Sequence, residues 1–584
     1  MAEFTPIQVE PGSPRQGGST AGGGRVRPAG LVRWGAALVV VALVVGAASV
    51  GAVLLTSGAT TSAVEGWIPA GTVAYLEARA DLPGDQRENV GNIIATFPGF
   101  KDQASLDSKI DQALDEALQK TGISWTSDLE PWVGGEVGVA LTSDLLDIAA
   151  ADRKDPAAAT APDRGFVVLA SVKDVAAATA WVAKEAGGTA STATYGDGTI
   201  TTVDHDGMTL AWATRGTVLL LGPEVTVKAA LDTQGASPVA ASSAFVAAKA
   251  AAPGAYLGFG YLDTATLLQA VVSMAGSPAG VPAACLDSAM AAAPGWSAGF
   301  AHAAGGALVI DRVAPATAAG AGSSPAPTDT ASAIAAHLPA TTLVAIESRQ
   351  AGPALVALWS GIEAGIACDP AGKAALDKVN TALAAIGGVG SLAGWAGDAA
   401  LAVTRDGTAW GGGLAAIATD PAAATRTLDQ LRAVLALAGG GAGISVTQQP
   451  YAAGTITLVA LPALPGMGDT GAVIPPLAVA AQGSLFALGT VDFVKAVLDT
   501  PASAGLASQA GYQDAINAAG GAGIMDAYVN ITGVREGLEA LMPAADQASY
   551  TTDVQPFLEP FDAFAAVEKA PAATRTSRFV LVFK

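Results

Sequence analysis

The stretch "VKAALDT", Val227 to Thr233, returns 267 positions later as "VKAVLDT", Val494 to Thr500. The longer segments "RGTVLLLGPEVTVKAALDT" (215–233) and "QGSLFALGTVDFVKAVLDT" (482–500) agree at nine of nineteen positions. In both copies a short apolar run predicts a strand, and apolar residues at helical spacing predict a helix that follows it. The repeated phrase therefore predicts a packing unit that the chain uses twice.

Further matches follow in the same order along the chain: "IPAGTVAYLEAR" (68–79) with "LPATTLVAIESR" (338–349), "PWVGGEVGVAL" (131–141) with "GWAGDAALAV" (394–403), and "DVAAAT" (174–179) with "DPAAAT" (420–425). A segment rich in Pro, Ala, Ser and Gly at 313–332 separates the two sets and is typical of a linker. We therefore predict an internal duplication, with one repeat domain at 62–312 and a second at 333–584.

Each half alternates short apolar runs with helical segments. "TVAYLEAR" (72–79) has the alternation of a strand, and Asp197-Gly198 is a typical hairpin turn. "DVAAATAWVAKEAGG" (174–188) predicts a helix with Asp174 as its N-cap. Because no steady strand–helix–strand rhythm is present, we predict an α+β fold with mainly antiparallel sheets.

The N-terminal region predicts a membrane anchor. Residues 1–30 are rich in Pro, Gly and Ser, which is typical of a disordered tail. The segment "WGAALVVVALVVGAASVGAVLL" (34–55) has no charge and is long enough to cross a hydrocarbon core of about 30 Å. Because Arg residues precede it, the positive-inside rule puts the N-terminus in the cytoplasm. We predict a single-pass transmembrane helix at 31–57, followed by an extracytoplasmic region. A cleaved signal peptide, the competing interpretation, would have a shorter apolar core.

The formal net charge is -21, which argues against a nucleic-acid partner because phosphate binding needs clustered Lys and Arg. The chain has two cysteines, Cys285 and Cys368. An exported location permits a disulfide between them, and two buried free thiols are the alternative.

Motifs for catalysis are weak. "GWSAG" (295–299) matches the nucleophile-elbow pattern around Ser297, but the surrounding sequence predicts a hairpin and only His302 and His337 lie downstream. With three His in all and no HExxH or CxxC motif, we predict no catalytic residue, no metal site and no cofactor.

Two equivalent pairs of charged residues remain as binding candidates. Glu77 and Arg79 of the first half correspond to Glu347 and Arg349 of the second, and each pair projects from one face of a strand. A structural ion pair is the alternative to a binding role.

The segments "YLEARADLPGDQ" (75–86) and "PWVGGE" (131–136) resemble a bacterial family known as domain of unknown function 3352. The resemblance implies an N-terminal anchor and a large exported region, and it implies no known reaction. It is clear over 69–141, and the second half lacks "DLPGDQ".

These observations favour a membrane-anchored, non-catalytic protein of the bacterial cell envelope that acts by binding or as a structural element. Its predicted partners are the membrane, through residues 34–55, and an unknown protein, lipid or glycan ligand. The alternatives are an exported serine hydrolase that uses Ser297 and a transmembrane sensor.

Overall fold

The computed structural model describes residues 62–79, 82–100, 111–112, 115, 118, 122–154, 163–205, 208–275, 293–316, 328–367, 369–384, 387–442, 444–452, 454–460 and 476–584. The predicted tail and anchor, Cys285, Cys368 and residues 317–327 of the predicted linker lie outside these ranges. Of the helices in the described part, none combines the length and apolarity that crossing a bilayer requires.

The first half of the chain contributes ten strands: Thr72–Arg79 (β1), Val133–Thr142 (β2), Phe166–Val172 (β3), Ser191–Tyr195 (β4), Gly198–His205 (β5), Met208–Arg215 (β6), Val218–Pro223 (β7), Gly258–Leu262 (β8), Ser297–Ala304 (β9) and Ala307–Pro315 (β10). The second half contributes another ten: Thr342–Ser348 (β11), Ala396–Asp406 (β12), Ala409–Ala418 (β13), Ser445–Tyr451 (β14), Gly454–Ala460 (β15), Leu477–Gln482 (β16), Leu485–Thr490 (β17), Met525–Asn530 (β18), Phe561–Glu568 (β19) and Thr574–Phe583 (β20).

The α-helices of the first half are Gln86–Ala95 (α1), Ser143–Lys154 (α2), Val175–Ala186 (α3), Glu224–Leu231 (α4), Ser243–Ala250 (α5) and Thr264–Ala275 (α6). Those of the second half are Ala351–Ile366 (α7), Pro370–Ala384 (α8), Gly388–Ala393 (α9), Pro421–Ala442 (α10), Val491–Asp499 (α11), Ala510–Ala518 (α12), Ile531–Glu539 (α13), Ala544–Asp553 (α14) and Gln555–Leu558 (α15). Short 3-10 helices span Glu65–Trp67, Ile334–Ala336 and Leu506–Ser508, and a π-helix spans Trp125–Leu129.

All of these strands belong to one antiparallel sheet, which confirms the predicted α+β class. The first ten strands lie side by side in the order β4-β5-β6-β7-β3-β2-β1-β8-β9-β10. The second ten lie in the order β14-β15-β16-β17-β13-β12-β11-β18-β19-β20, which is the same order with ten added to each number.

The last strands of the two halves, β10 and β20, pair with each other and make the sheet continuous. Asp311 is opposite Arg578 in this pair, and these residues are 267 positions apart, as are Val227 and Val494 of the repeated phrase. Because β10 continues through Pro315, residues 313–315 of the predicted linker belong to the sheet instead.

The repeated phrase forms equivalent helices. Val227 of α4 and Val494 of α11 are both fully buried, each in a helix that directly follows a strand. Helices α4 and α5 pack on one sheet face in the first half, and α11 and α12 pack on the same face in the second. We call this side the covered face. Asp174 caps α3 as predicted, because its side chain accepts a hydrogen bond of 2.9 Å from the Ala177 N–H.

Candidate functional site

The opposite side of the sheet carries a continuous line of apolar residues. Residues directly opposite each other on paired strands share a face, so the pairings trace the line from strand to strand. It runs through Leu488, Leu414, Leu401, Ile346, Ala527, Ala566, Phe579, Ile310, Ala301 and Gly258. We call these ten residues the apolar row and this side of the sheet the row face. At about 4.8 Å between strands, the row is about 43 Å long.

The apolar row is open to solvent. Leu401 is 56 % exposed, and Ile346 and Ile310 are each 47 % exposed. The other members are partly or well exposed, and none of the ten is buried. Single exposed apolar residues are ordinary, but a contiguous set on a rigid sheet is typical of a surface that binds an apolar partner.

A second line of apolar residues lies beside the row and widens it. Its members are Gly412, Val403, Val344, Val529, Phe564, Leu581, Leu308 and Ala303, each opposite the next on neighbouring strands. All except Ala303 are partly exposed. The strip is therefore two side chains wide over most of its length.

The other border of the row is polar. Glu568 is opposite Ser577, and Ser577 is opposite Arg312, on three adjacent strands of the row face. Glu568 is paired with Arg575, whose Nε lies 2.5 Å from its Oε1. The strip thus has an apolar floor and one polar edge near the junction of the two halves.

Equivalent residues in the two halves differ in how they are covered. Val139 of β2 is 6 % exposed, and it packs with α1 and α3 in the core of the first half. Its equivalent by strand pairing, Leu401 of β12, is exposed. Val168 of β3 is likewise buried, and its equivalent, Leu414 of β13, is exposed. At these two positions the row face is therefore open in the second half where the first half covers it with helices, whereas Leu76, the equivalent of Ile346, is itself 49 % exposed.

Helix α7, which follows β11 as α1 follows β1 in the first half, also exposes apolar side chains. Leu355, Leu358, Ile362 and Ile366 recur at spacings of three and four and lie along one side of the helix. Only its first residues, Ala351 and Gly352, are buried. In α1, by contrast, the apolar residues are buried in the core. The second half thus exposes apolar surface on both a helix and the sheet.

The predicted pair of the second half lies on the covered face in a buried polar cluster. Arg349 pairs through Nη2 with Asp526, and its Nη1 lies 3.7 Å from Glu347 Oε2. The hydroxyl of Tyr512 donates a 3.0 Å hydrogen bond to Glu347. Burial raises the pKa of Glu347 despite the neighbouring guanidinium. These contacts fit the structural ion pair that the sequence left as the alternative.

The predicted pair of the first half has different partners. Glu77 accepts hydrogen bonds of 3.0 Å from the hydroxyls of Tyr75 and Tyr256. The guanidinium of Arg79 lies 5.8 Å from the centre of the Tyr256 ring. Glu77 points to the opposite face from its neighbour Leu76, so this cluster and the row face are separated by the sheet.

Two further carboxyls, not anticipated from the sequence, adjoin this cluster. Burial, and next the charge of Glu77, raise the pKa values of Glu65 and Glu136 to about 7. Lys249 forms an ion pair with Glu65, and Glu136 accepts a 2.8 Å hydrogen bond from the Ala63 N–H. The sequence does not indicate that Glu65 and Glu136 are close to Glu77, because the three residues come from separate segments of the chain.

These pKa values predict a pH dependence of stability. A carboxyl with a pKa near 7 in the folded state and near 4.5 in the unfolded state binds more protons when folded, so stability present below pH 4.5 is lost as the pH rises to about 7. We expect Glu136→Gln to flatten this decline in unfolding experiments from pH 4.5 to 8. Glu224→Gln, which alters a surface pair with Lys228, is the control. A Glu136→Gln profile parallel to that of the wild type would contradict the prediction.

Ser297 lies in an antiparallel strand, β9, and not at the strand-to-helix turn that a nucleophile elbow needs. His302 is on the same strand five residues later, so the two side chains point to opposite faces. His302 is therefore not placed to act as the general base for the Ser297 hydroxyl.

A cavity of about 300 Å³ lies at the junction of the two halves. Its charged groups already have partners: Arg578 is bidentate on Asp311 at 2.6 and 3.0 Å, and Lys569 donates to three backbone carbonyls. Arg578, Asp311 and Lys569 therefore leave no unpaired charge for a ligand in this cavity, in contrast to the polar edge of the row face.

The fold and the apolar row together define an α+β protein with one large antiparallel sheet and an open apolar face. The chain belongs to the family described as "Protein of unknown function (DUF3352)", whose model matches residues 36–584. This confirms the resemblance noted in the sequence.

No curated protein matches the chain. Among solved structures, crystal form III of TP0453 is similar at 10% identity over 44% of this chain and 81% of that one, with a TM-score of 0.21. Crystal form IV gives 11% identity over 44% and 83%, with a TM-score of 0.22. Both TM-scores are too low to inform the function of this chain.

Proposed function

We propose that this protein is a membrane-anchored, extracytoplasmic, non-catalytic protein that binds the acyl chains of lipids along the apolar row. The observation that carries the proposal is the continuity of the row, which crosses ten neighbouring strands without a charged or buried side chain. We also infer that the chain is an internal duplication, because both halves repeat one strand order and the repeated phrase forms equivalent helices.

The dimensions of the row suit acyl chains. One leaflet of a bilayer contributes about half of the 30 Å hydrocarbon thickness, so a row of about 43 Å exceeds the length of one chain. Burial of apolar surface contributes about 25 cal/mol per Å², and a flexible chain can follow a row of side chains on a twisted sheet.

The predicted anchor favours a lipid over other apolar partners. Residues 58–61 separate the predicted helix from Ser62, the first described residue, and bridge at most about 18 Å. The sheet would therefore be held close to a bilayer, where lipids are the most abundant apolar ligands. A second copy of the chain or another protein is an outcome that the test below would reveal.

A photo-crosslinker at the row should capture lipid. With p-benzoylphenylalanine replacing Leu401 in the full chain, irradiation of intact envelopes is expected to add the mass of a lipid to the peptide that holds position 401. The same replacement at Val246, which is 52 % exposed on the covered-face helix α5, is the control and should give no lipid adduct. Protein adducts alone at position 401, or equal lipid labelling at both positions, would contradict the proposal.

A further inference from the structure

Resting on the proposed function, we infer that Arg312 receives the anionic head of the bound amphiphile, a carboxylate or a phosphate. Its chain then lies along the apolar row across the second half of the sheet. The inference concerns the class of lipid and its direction of binding.

Arg312 is well placed beside the row. It is exposed on β10 two residues after Ile310, so both side chains project from the row face about 6.6 Å apart along the strand. Its cross-strand neighbours, Gly299 and Ser577, are small and leave space around the guanidinium.

Arg312 has no carboxylate partner among the described residues, although two acidic residues are close in the sheet. Glu568 is engaged by Arg575, and Asp311 on the other face is engaged by Arg578. A guanidinium is always charged and binds carboxylate or phosphate through two parallel hydrogen bonds. In a chain with a net charge of -21, this unpaired cation beside an apolar strip is a specific feature.

The two halves differ at this position, which gives the ligand a direction. Asp311 and Arg578 are opposite each other and 267 positions apart, the spacing of the two copies of the repeated phrase, so the equivalent of Arg312 is Phe579, a member of the row. A cation at this position is therefore present in the first half only. From Ile310 the row continues over seven further strands to Leu488, about 34 Å, but over only two in the other direction. A long chain therefore extends into the second half.

The test compares charged and neutral probes of equal chain length on the full chain in a nonionic detergent. The probes are palmitate, hexadecyl phosphate, 1-monopalmitoylglycerol and inorganic phosphate. We expect Arg312→Gln to weaken palmitate and hexadecyl phosphate about tenfold or more, the effect of losing a charge-assisted hydrogen bond, and to leave monopalmitoylglycerol unchanged. Arg426→Gln, which alters an exposed pair with Asp420, is the matched control and should change none of them.

Each other outcome overturns the inference in an identifiable way. If Arg312→Gln weakens all three long-chain probes equally, or none, the head is not bound by Arg312, while the proposed lipid binding stands. If inorganic phosphate competes as well as hexadecyl phosphate, the site takes a free anion and not an amphiphile. If none of the three long-chain probes binds the wild-type protein, the proposed function fails together with the inference.

Discussion

Replacing Arg349 with Met is expected to lower the free energy of unfolding by about 3–5 kcal/mol. The substitution leaves Glu347 and Asp526 buried together without their shared cation. Two carboxylates in one dry site repel each other and lack solvation, so at least one must take up a proton. The loss would be measured by urea unfolding of the full chain at pH 7.

Arg426→Met is the matched control, because the Arg426 side chain is 66 % exposed and its pair with Asp420 lies on the surface. Such a pair contributes less than about 1 kcal/mol. The triple variant Arg349→Met, Glu347→Gln, Asp526→Asn should recover part of the loss, since it removes the unpaired charges. If Arg349→Met costs no more than Arg426→Met, the cluster does not stabilise the fold in the way described.

Replacing Ile346 and Phe579 together with Asp should abolish most binding of palmitate. Both residues are members of the apolar row on separate strands, and each contact with an acyl chain contributes about 1.5 kcal/mol or more. The double change should therefore weaken binding by about 100-fold. Because both side chains already face solvent, we expect little change in stability.

Val225→Asp with Val246→Asp is the control, since these exposed residues lie on α4 and α5 over the covered face. It introduces the same charges and should leave palmitate binding as in the wild type. Equal losses in the two double variants would mean that added negative charge, and not the apolar row, governs binding.

Much of the fold was predictable from local patterns. The alternation in "TVAYLEAR" predicts β1, and the apolar spacing after Asp174 predicts α3, because side-chain periodicity and capping act over a few residues. The repeated phrase likewise predicts that α4 and α11 are equivalent. The class of the sheet follows from the density of short strands and hairpin turns.

The apolar row was not predictable, because the strands that form it are apolar on both faces. In "TLVAIES" of β11, Ala345 points to the covered face, while Val344 and Ile346 point to the row face. Such a pattern is typical of a strand buried on both sides. Only the packing shows that α1 and α3 cover Val139 and Val168 in the first half while their equivalents, Leu401 and Leu414, are exposed.

The buried clusters were predictable only in part. Glu347 and Arg349 are two residues apart on one strand, which indicates that they share a face. Asp526 and Tyr512, their partners, come from β18 and α12, well over 150 positions later. Sequence spacing within one strand carries no information on such distant partners.

The most direct test of the account is an experimental structure of the full chain with palmitate bound. We predict extended density on the row face over Phe579, Ala566 and Ala527, directed towards Ile346, with the carboxylate beside Arg312. Density confined to the junction cavity beside Asp311 and Arg578, or a row face empty at saturating palmitate, would contradict the central claim.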